Sequence, residues 1–170
     1  MNIYLDIDGV LLDRKSERAA HAPEFVRRVL ATCPDSTYWL TTHCKGDAAV
    51  PLRRIGPLFD AETRALMARI RPTDWDLAKT EAIDFRSPFL WFDDDCFDVE
   101  RRALEQHGVL DNWIKVDLRR TPHQLGLFLQ SFPIPINAFD EDWACADSSA
   151  PRPSAAGRSP GRPDRKPRSP

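Results

Sequence analysis

Short apolar runs alternate along this chain with longer segments in which apolar residues recur every three or four positions. The runs that predict buried strands lie at 2–7, 37–40, 88–92 and 113–116. The segments that predict helices lie at 23–32, 51–55, 60–70, 98–107, from about 76 onward, and from an N-cap at Thr121 onward. Such alternation, with apolar strands, is typical of a parallel sheet that is covered on both faces. We therefore predict an α/β fold, a three-layer α/β/α sandwich around a mainly parallel, Rossmann-like sheet.

The last 24 residues differ in composition from the rest of the chain. They hold six of the fifteen prolines and no large apolar side chain, so they bury too little surface to offset their chain entropy. We predict one folded domain over 1–146 and a disordered, basic Pro/Ser/Arg-rich tail over 147–170. The chain has a net charge of −2, and because the tail carries roughly +4, the domain carries about −6. The basic tail indicates a nucleic-acid partner only weakly.

Several classes of protein do not fit the sequence. No apolar run reaches the roughly 20 residues that span a bilayer, so no membrane partner is expected. The first residues lack the basic segment of a signal peptide. The four cysteines, Cys33, Cys44, Cys96 and Cys145, are scattered and form no CxxC pair, which argues against a zinc site or a disulfide framework. A cytoplasmic protein with reduced thiols is the expectation.

Polar side chains that can act in catalysis or bind a metal follow the first three predicted strands. They are Asp6 and Asp8, then Thr41 and Thr42, and finally Asp93, Asp94 and Asp95, with Asp98 just beyond. In parallel sheets ligands bind at the carboxyl ends of the strands, so neighbouring strands would bring these side chains together. Crowded carboxylates repel one another unless a cation neutralises them. Ligands that offer only oxygen suit Mg²⁺, and a hard divalent cation beside carboxylates is a natural phosphate site.

The first pair of acids suits phosphoryl transfer. Asp6 and Asp8 are two residues apart at the end of a strand, so their side chains point the same way. One can attack phosphorus as a carboxylate nucleophile, and the other can serve as general acid and base. Gly9 permits the close turn that follows, Lys79 can screen a phosphorylated aspartate, and Thr41 can donate a hydrogen bond to a phosphoryl oxygen.

Together these residues resemble the haloacid dehalogenase (HAD) superfamily of phosphohydrolases. Its first motif, DxDG[VT] after a strand, is matched by Asp6-Ile7-Asp8-Gly9-Val10. The second, a Ser or Thr after an apolar strand, fits Thr41 or Thr42, and the third, a lysine near the start of a helix, fits Lys79. The fourth, an acidic pair after an apolar run, fits 93–94 with Asp98 four residues later. The resemblance extends over roughly residues 1–118.

The resemblance implies a role for each matched position. Asp6 would be the nucleophile, Asp8 the general acid and base, and Thr41, in preference to Thr42, the phosphate ligand. Gly9 and Thr42 are expected at the substrate, and so is His43, because it follows the second strand near the predicted site. Mg²⁺ would be held by Asp6, by the backbone carbonyl of Asp8 and by Asp94, with Asp98 or Asp93 as the supporting acid. The second aspartate of the first motif favours a phosphatase, since dehalogenases of the superfamily lack it.

The chain leaves little room for the cap domain that many HAD proteins carry. About a dozen residues, 11–22, separate the first strand from its helix, and 36 lie between Thr42 and Lys79. A capless or minimally capped enzyme is expected, whose open site admits large phosphorylated substrates or is closed by an oligomer. The leading hypothesis is a Mg²⁺-dependent phosphatase that forms an aspartyl-phosphate on Asp6. The alternatives are a phosphatase specialised for nucleotides or nucleic-acid ends, and a non-catalytic HAD-fold binding or regulatory protein.

Overall fold

The protein is described by a computed structural model over residues 1–131. Its strands are β1 (Asn2–Leu5), β2 (Thr37–Trp39), β3 (Phe89–Asp93) and β4 (Trp113–Lys115). Its α-helices are α1 (Ala22–Thr32), α2 (Ala49–Ile55), α3 (Ala61–Met67), α4 (Asp98–Gln106) and α5 (Gln124–Gln130). The four predicted strands are all present, each within two residues of its expected bounds.

All four strands are parallel and form one sheet in the order β2-β1-β3-β4. β1 is central, and Ile3 pairs with Thr37 on one side and with Leu90 on the other. The three strands that precede the candidate site residues are therefore neighbours. This confirms an α/β, Rossmann-like fold with a parallel sheet, and it brings the carboxyl ends of β1, β2 and β3 to one edge.

The side chains of the sheet alternate between two apolar clusters. Ile3, Leu5 and Phe92 belong to the larger cluster, which also contains buried residues of α1, α3 and α5. Tyr4 and Trp91 belong to a second cluster with Leu104 of α4. Each of these side chains is at most 2 % exposed, and burying one large apolar side chain contributes about 1.5–3 kcal/mol. The central strands are thus anchored by both of their faces.

The two predicted N-caps, Asp60 and Thr121, have different outcomes in the structure. Asp60 is the N-cap of α3, as expected, because its carboxylate accepts the backbone N–H of Thr63 at 2.8 Å. The prediction that Thr121 caps the last helix was wrong. The N–H of Thr121 instead closes a turn on the carbonyl of Asp117, and α5 begins only at Gln124.

The helix expected from about position 76 begins three residues later and is a short 3-10 helix that contains Lys79, as expected. Only a 3-10 helix, Lys79–Ala82, forms there, and Lys79 is its first residue. The Glu81 carboxylate accepts the backbone N–H groups of Asp76 and Ala78, so the preceding residues fold as a loop around this side chain. Those local bonds compete with a regular helix.

The remaining domain predictions lie outside the described residues. The end of the predicted folded domain, 132–146, and the whole basic tail, 147–170, belong to that part of the chain. Within residues 1–131, no helix combines the length and the apolar character that crossing a membrane requires.

Candidate functional site

An open cavity of about 560 Å³ lies at the carboxyl ends of the first three strands. It is lined by Asp6, Asp8 and Gly9 after β1, by Thr42 after β2, by Asp93, Asp94 and Asp95 at the end of β3, and by Lys79. The structure therefore brings together most of the side chains that the sequence singled out, although they come from distant parts of the chain.

Lys79 connects two of the strand ends. Its ammonium nitrogen lies 2.6 Å from Asp93 Oδ2 and 3.2 Å from Asp6 Oδ2. All three side chains are nearly buried, between 2 and 11 % exposed. Burial lowers the pKa of Lys79, but the charges of Asp6 and Asp93 outweigh burial and raise it, so the side chain stays protonated. A positive charge is thus fixed beside Asp6.

Two further side chains hold this charge in place. Glu100, 2 % exposed, accepts the backbone N–H of Lys79 at 2.9 Å and that of Phe97 at 2.9 Å. The indole N–H of Trp91 donates to Asp93 Oδ2 at 2.9 Å. Neither residue was singled out from the sequence. Glu100 lies three residues after the N-cap Phe97 and accepts its N–H, but a phenylalanine at the N-cap gives no capping signal in the sequence.

Three carboxylates converge on one point of the cavity. Asp6, Asp93 and Asp94 each offer an oxygen, and these atoms lie within 4.8 Å of one another. Burial, followed by the charge of Asp6, raises the pKa of both Asp93 and Asp94, with Lys79 acting in the opposite direction. The crowding costs free energy that a cation would relieve. Among residues 1–131, this is the group of side chains whose oxygens lie close enough together to be a candidate metal site.

Asp98 lies apart from this group. It is exposed and is the first residue of α4. Within the described part of the chain, its carboxylate is not one of the three that make up the acidic cluster. The predicted supporting role of Asp98 toward a metal therefore gains no support from this cluster and stays a prediction. Asp93, the alternative supporting acid, lies in the cluster because it is still part of β3 and points to the same side as Trp91.

Asp8 has different partners from Asp6. His43 Nε2–H donates to Asp8 Oδ2 at 2.6 Å, and the Arg54 guanidinium donates to Oδ1 at 3.2 Å. Burial raises the pKa of Asp8, but the hydrogen bonds from His43 and Arg54 together outweigh it and lower the pKa. His43, predicted to contact substrate, thus binds the candidate acid–base residue. Arg54 was missed, because nothing in the sequence of α2 indicates which way its side chain points.

Gly9 occupies a position that other residues would not tolerate. Its φ angle is +79°, and a Cβ atom added there would lie 2.6 Å from Asp94 Cβ and closer still to the carboxyl group. The turn after β1 therefore packs its backbone directly against the acidic cluster. The predicted close backbone turn at this glycine matches the observed geometry.

The two threonines after β2 differ in exposure. Thr41 is 1 % exposed, and its hydroxyl accepts the backbone N–H of His43 at 3.5 Å. Thr42 is exposed and lines the cavity with Asp6 and Asp8. The sequence left both open and favoured Thr41, whereas the cavity itself is reached by Thr42.

Comparisons with protein-family models, with curated proteins and with solved structures found no match to this chain. The functional conclusion therefore rests on the geometry of the site.

Proposed function

We propose that this chain is a Mg²⁺-dependent phosphatase of the HAD type that hydrolyses a phosphomonoester through an aspartyl-phosphate on Asp6. One observation carries the proposal. The Lys79 ammonium is buried between Asp6 and Asp93, next to Asp94, at the adjoining ends of β1 and β3. The ammonium group is a fixed cation, and the crowded carboxylates favour binding of a second cation. Two cations at one site suit the transfer of a dianionic phosphoryl group.

The fold proposed for this enzyme is the three-layer α/β/α sandwich with a HAD-like sheet. The alternation of strand side chains between two clusters supports it, since one cluster includes α1, α3 and α5 and the other includes α4. The central position of β1, with the acidic motif directly after it, fits the same architecture.

The acidic cluster fits a Mg²⁺ ion by its chemistry. Asp6 and Asp94 offer hard oxygen ligands, Asp93 adds negative charge behind them, and the cavity is open enough for the waters that Mg²⁺ retains. Bound there with the Asp8 carbonyl as a further ligand, Mg²⁺ would offset negative charge on the phosphoryl oxygens. Asp93 is held by Lys79 and Trp91, so it acts on the metal at most through its charge.

The chain's own residues then account for the two halves of the reaction. An oxygen of Asp6 attacks phosphorus, the bond from phosphorus to the substrate oxygen breaks, and Asp8 protonates that leaving oxygen. In the second half Asp8 takes a proton from water, whose oxygen attacks phosphorus and releases Asp6 and inorganic phosphate. We assign the hydrogen bond to a phosphoryl oxygen to Thr42 rather than to Thr41, since Thr42 lines the cavity, and Lys79 would balance the charge on Asp6.

The lowered pKa of Asp8 favours its ionised form, which the second half requires. Its hydrogen bonds from His43 and Arg54 favour the carboxylate. An arriving phosphate dianion would raise the pKa of Asp8 by repulsion and compete for the same two donors. Protonation of Asp8 is therefore coupled to substrate binding, and this coupling prepares it to act as the acid.

Hydrolysis of an aryl phosphate with and without Mg²⁺ tests the proposal. Asp6→Asn should abolish turnover, a loss of about 10³-fold or more, because the nucleophile is gone. Asp8→Asn should slow turnover by about 10²–10⁴-fold. The matched control is Asp35→Asn, since Asp35 is 81 % exposed and precedes β2 at the opposite edge of the sheet. Control and wild type should hydrolyse the substrate equally fast.

The competing candidate is a non-catalytic protein of the same fold. If this candidate is correct, the protein should bind phosphate compounds, and neither the wild type nor any variant should hydrolyse them. Folded wild-type protein that shows no Mg²⁺-dependent hydrolysis on a broad panel of phosphomonoesters would favour that candidate over the phosphatase.

A further inference from the structure

A second cavity, of about 440 Å³, opens beside the first. It lies between the loop after β1 and the segment that follows β4, and five basic side chains line it: Arg14, Lys15, Lys115, Arg119 and Arg120. All five are exposed. We call this feature the basic groove.

The basic groove keeps an excess of positive charge, because its five basic side chains face three carboxylates, Asp13, Asp94 and Asp117. Asp13 accepts the backbone N–H groups of Lys15 and Glu17 at 2.8 and 2.9 Å. Asp117 caps its own turn and pairs with Arg120 at 3.7 Å. Among the residues that the structure describes, the other four basic side chains of the groove form no ion pair with an acidic side chain.

The basic groove is continuous with the catalytic cavity. Gly9, Asp13, Arg14 and Asp94 line both. A substrate whose phosphomonoester lies at Asp6 therefore has a direct path into the groove. Whatever lies next to the scissile phosphate meets four unpaired cationic side chains, which points to further negative charge on the substrate.

The other rim of the catalytic cavity is apolar. Phe97, 64 % exposed, and Leu77, 88 % exposed, line it together with Trp75, whose ring is contacted by the Lys45 ammonium at 3.9 Å from the ring centroid. Unpaired bases stack on exposed aromatic faces, and phosphodiesters bind lysine and arginine, so the two rims match the two parts of a nucleotide. A small sugar phosphate has neither a base nor a phosphodiester to offer the two rims, and a repeating phosphodiester matches the row of unpaired cations.

We propose, on the basis of the phosphatase function above, that the substrate is a single-stranded nucleic acid with a terminal phosphomonoester. The terminal phosphate lies at Asp6, and the phosphodiesters behind it are bound in the groove by Arg14, Lys15, Lys115 and Arg119. The reaction is hydrolysis: water supplies the oxygen, and the products are inorganic phosphate and a strand that ends in a hydroxyl.

Binding of fluorescent 12-nucleotide strands, measured by anisotropy, tests this assignment apart from turnover. The full-length chain carries Asp6→Asn so that no probe is hydrolysed, and the probes bear a 5′-phosphate, a 3′-phosphate or no phosphate. The double variant Lys115→Ala/Arg119→Ala should bind about tenfold or more weakly. With four phosphate contacts, the slope of log K against log salt should be about −3, and it should fall by roughly half in the variant.

The matched control is Arg69→Ala/Arg86→Ala, which removes the same charge. Arg69 pairs with Asp35, and Arg86 precedes β3, so both lie toward the amino ends of the strands. The basic tail is present in every protein, which isolates the effect of the groove. Binding by the control should equal that of the Asp6→Asn parent.

The outcomes separate the two proposals. Hydrolysis of an aryl phosphate without oligonucleotide binding would leave the phosphatase standing and overturn the nucleic-acid substrate. Equal losses in the groove variant and the control would also overturn it, as would a phosphopeptide of equal length that binds as tightly. Binding by the groove without release of a terminal phosphate by the wild type would contradict the substrate assignment as well.

Discussion

Replacing Lys79 by Met would remove the positive charge that is paired with two buried carboxylates, Asp6 and Asp93. Met has a similar length and no charge, so the change leaves Asp93, 2 % exposed, and Asp6, 10 % exposed, without their common partner. Breaking a buried ion pair by removing one member typically costs about 3–5 kcal/mol. Against a total stability of about 5–15 kcal/mol, such a loss is readily measured.

Urea unfolding at pH 7 without divalent cations measures the effect. Lys15→Met is the matched control, because Lys15 is exposed and a surface change of this kind alters the free energy of unfolding by less than about 0.5 kcal/mol. The wild type, the control and Lys79→Met should have similar m-values, and only Lys79→Met should have a much lower midpoint.

The pH dependence of the same variant has a definite sign. Burial and the charge of Asp6 raise the pKa of Asp93, and Lys79 opposes that rise. Without Lys79 the folded state binds a proton at Asp93 more tightly than the unfolded state does. Stability then falls as pH rises between the unfolded and the folded pKa. Lys79→Met should therefore regain stability as the pH is lowered from 8 towards 5.

A loss of less than about 1 kcal/mol at pH 7 would refute this reasoning. So would a variant whose stability rises with pH over that interval. Either result would mean that Asp6 and Asp93 are solvated or displaced when the ammonium group is removed.

Two further predictions concern the turn after β1 and the partners of Asp8. Gly9→Ala should lose most phosphatase activity and bind Mg²⁺ more weakly, because a Cβ on a residue with φ +79° collides with Asp94. Activity assays and Mg²⁺ titration measure both effects, and wild-type activity and affinity in the variant would contradict the prediction. Arg54→Ala should raise the pKa of Asp8, since a hydrogen bond to its charged form is lost, whereas Arg53→Ala should not. Carboxyl ¹³C NMR titration measures that pKa, and equal values in both variants would disprove the role of Arg54.

Much of the fold could be predicted because its signals are local. The strands are short apolar runs bounded by polar residues, and Asp60 caps its helix through its own side chain. Helix bounds were less accurate where side chains bind nearby backbone, as Glu81 does before Lys79. The start of α5 was misplaced for a different reason, because the backbone N–H of Thr121 closes a turn on the carbonyl of Asp117 and the helix begins later.

The sequence by itself determined which residues end the strands. The order of the motifs and the strand–helix alternation put Asp6, Asp8, Asp93 and Asp94 at one edge of a parallel sheet, as the structure has them. The two-residue spacing of Asp6 and Asp8 also brought both to one cavity. These facts follow from side-chain periodicity and from the direction of parallel strands, which local sequence controls.

Only the tertiary structure decided which partner each acid has. Lys79 reaches Asp6 from 73 positions away, and Arg54 reaches Asp8 from 46. Such contacts depend on how loops and helices dock on the sheet, and docking is set by packing of the whole core, which no local pattern encodes. The same docking moved Asp98 out of the acidic cluster, brought Thr42 to the cavity, and opened the basic groove beside it.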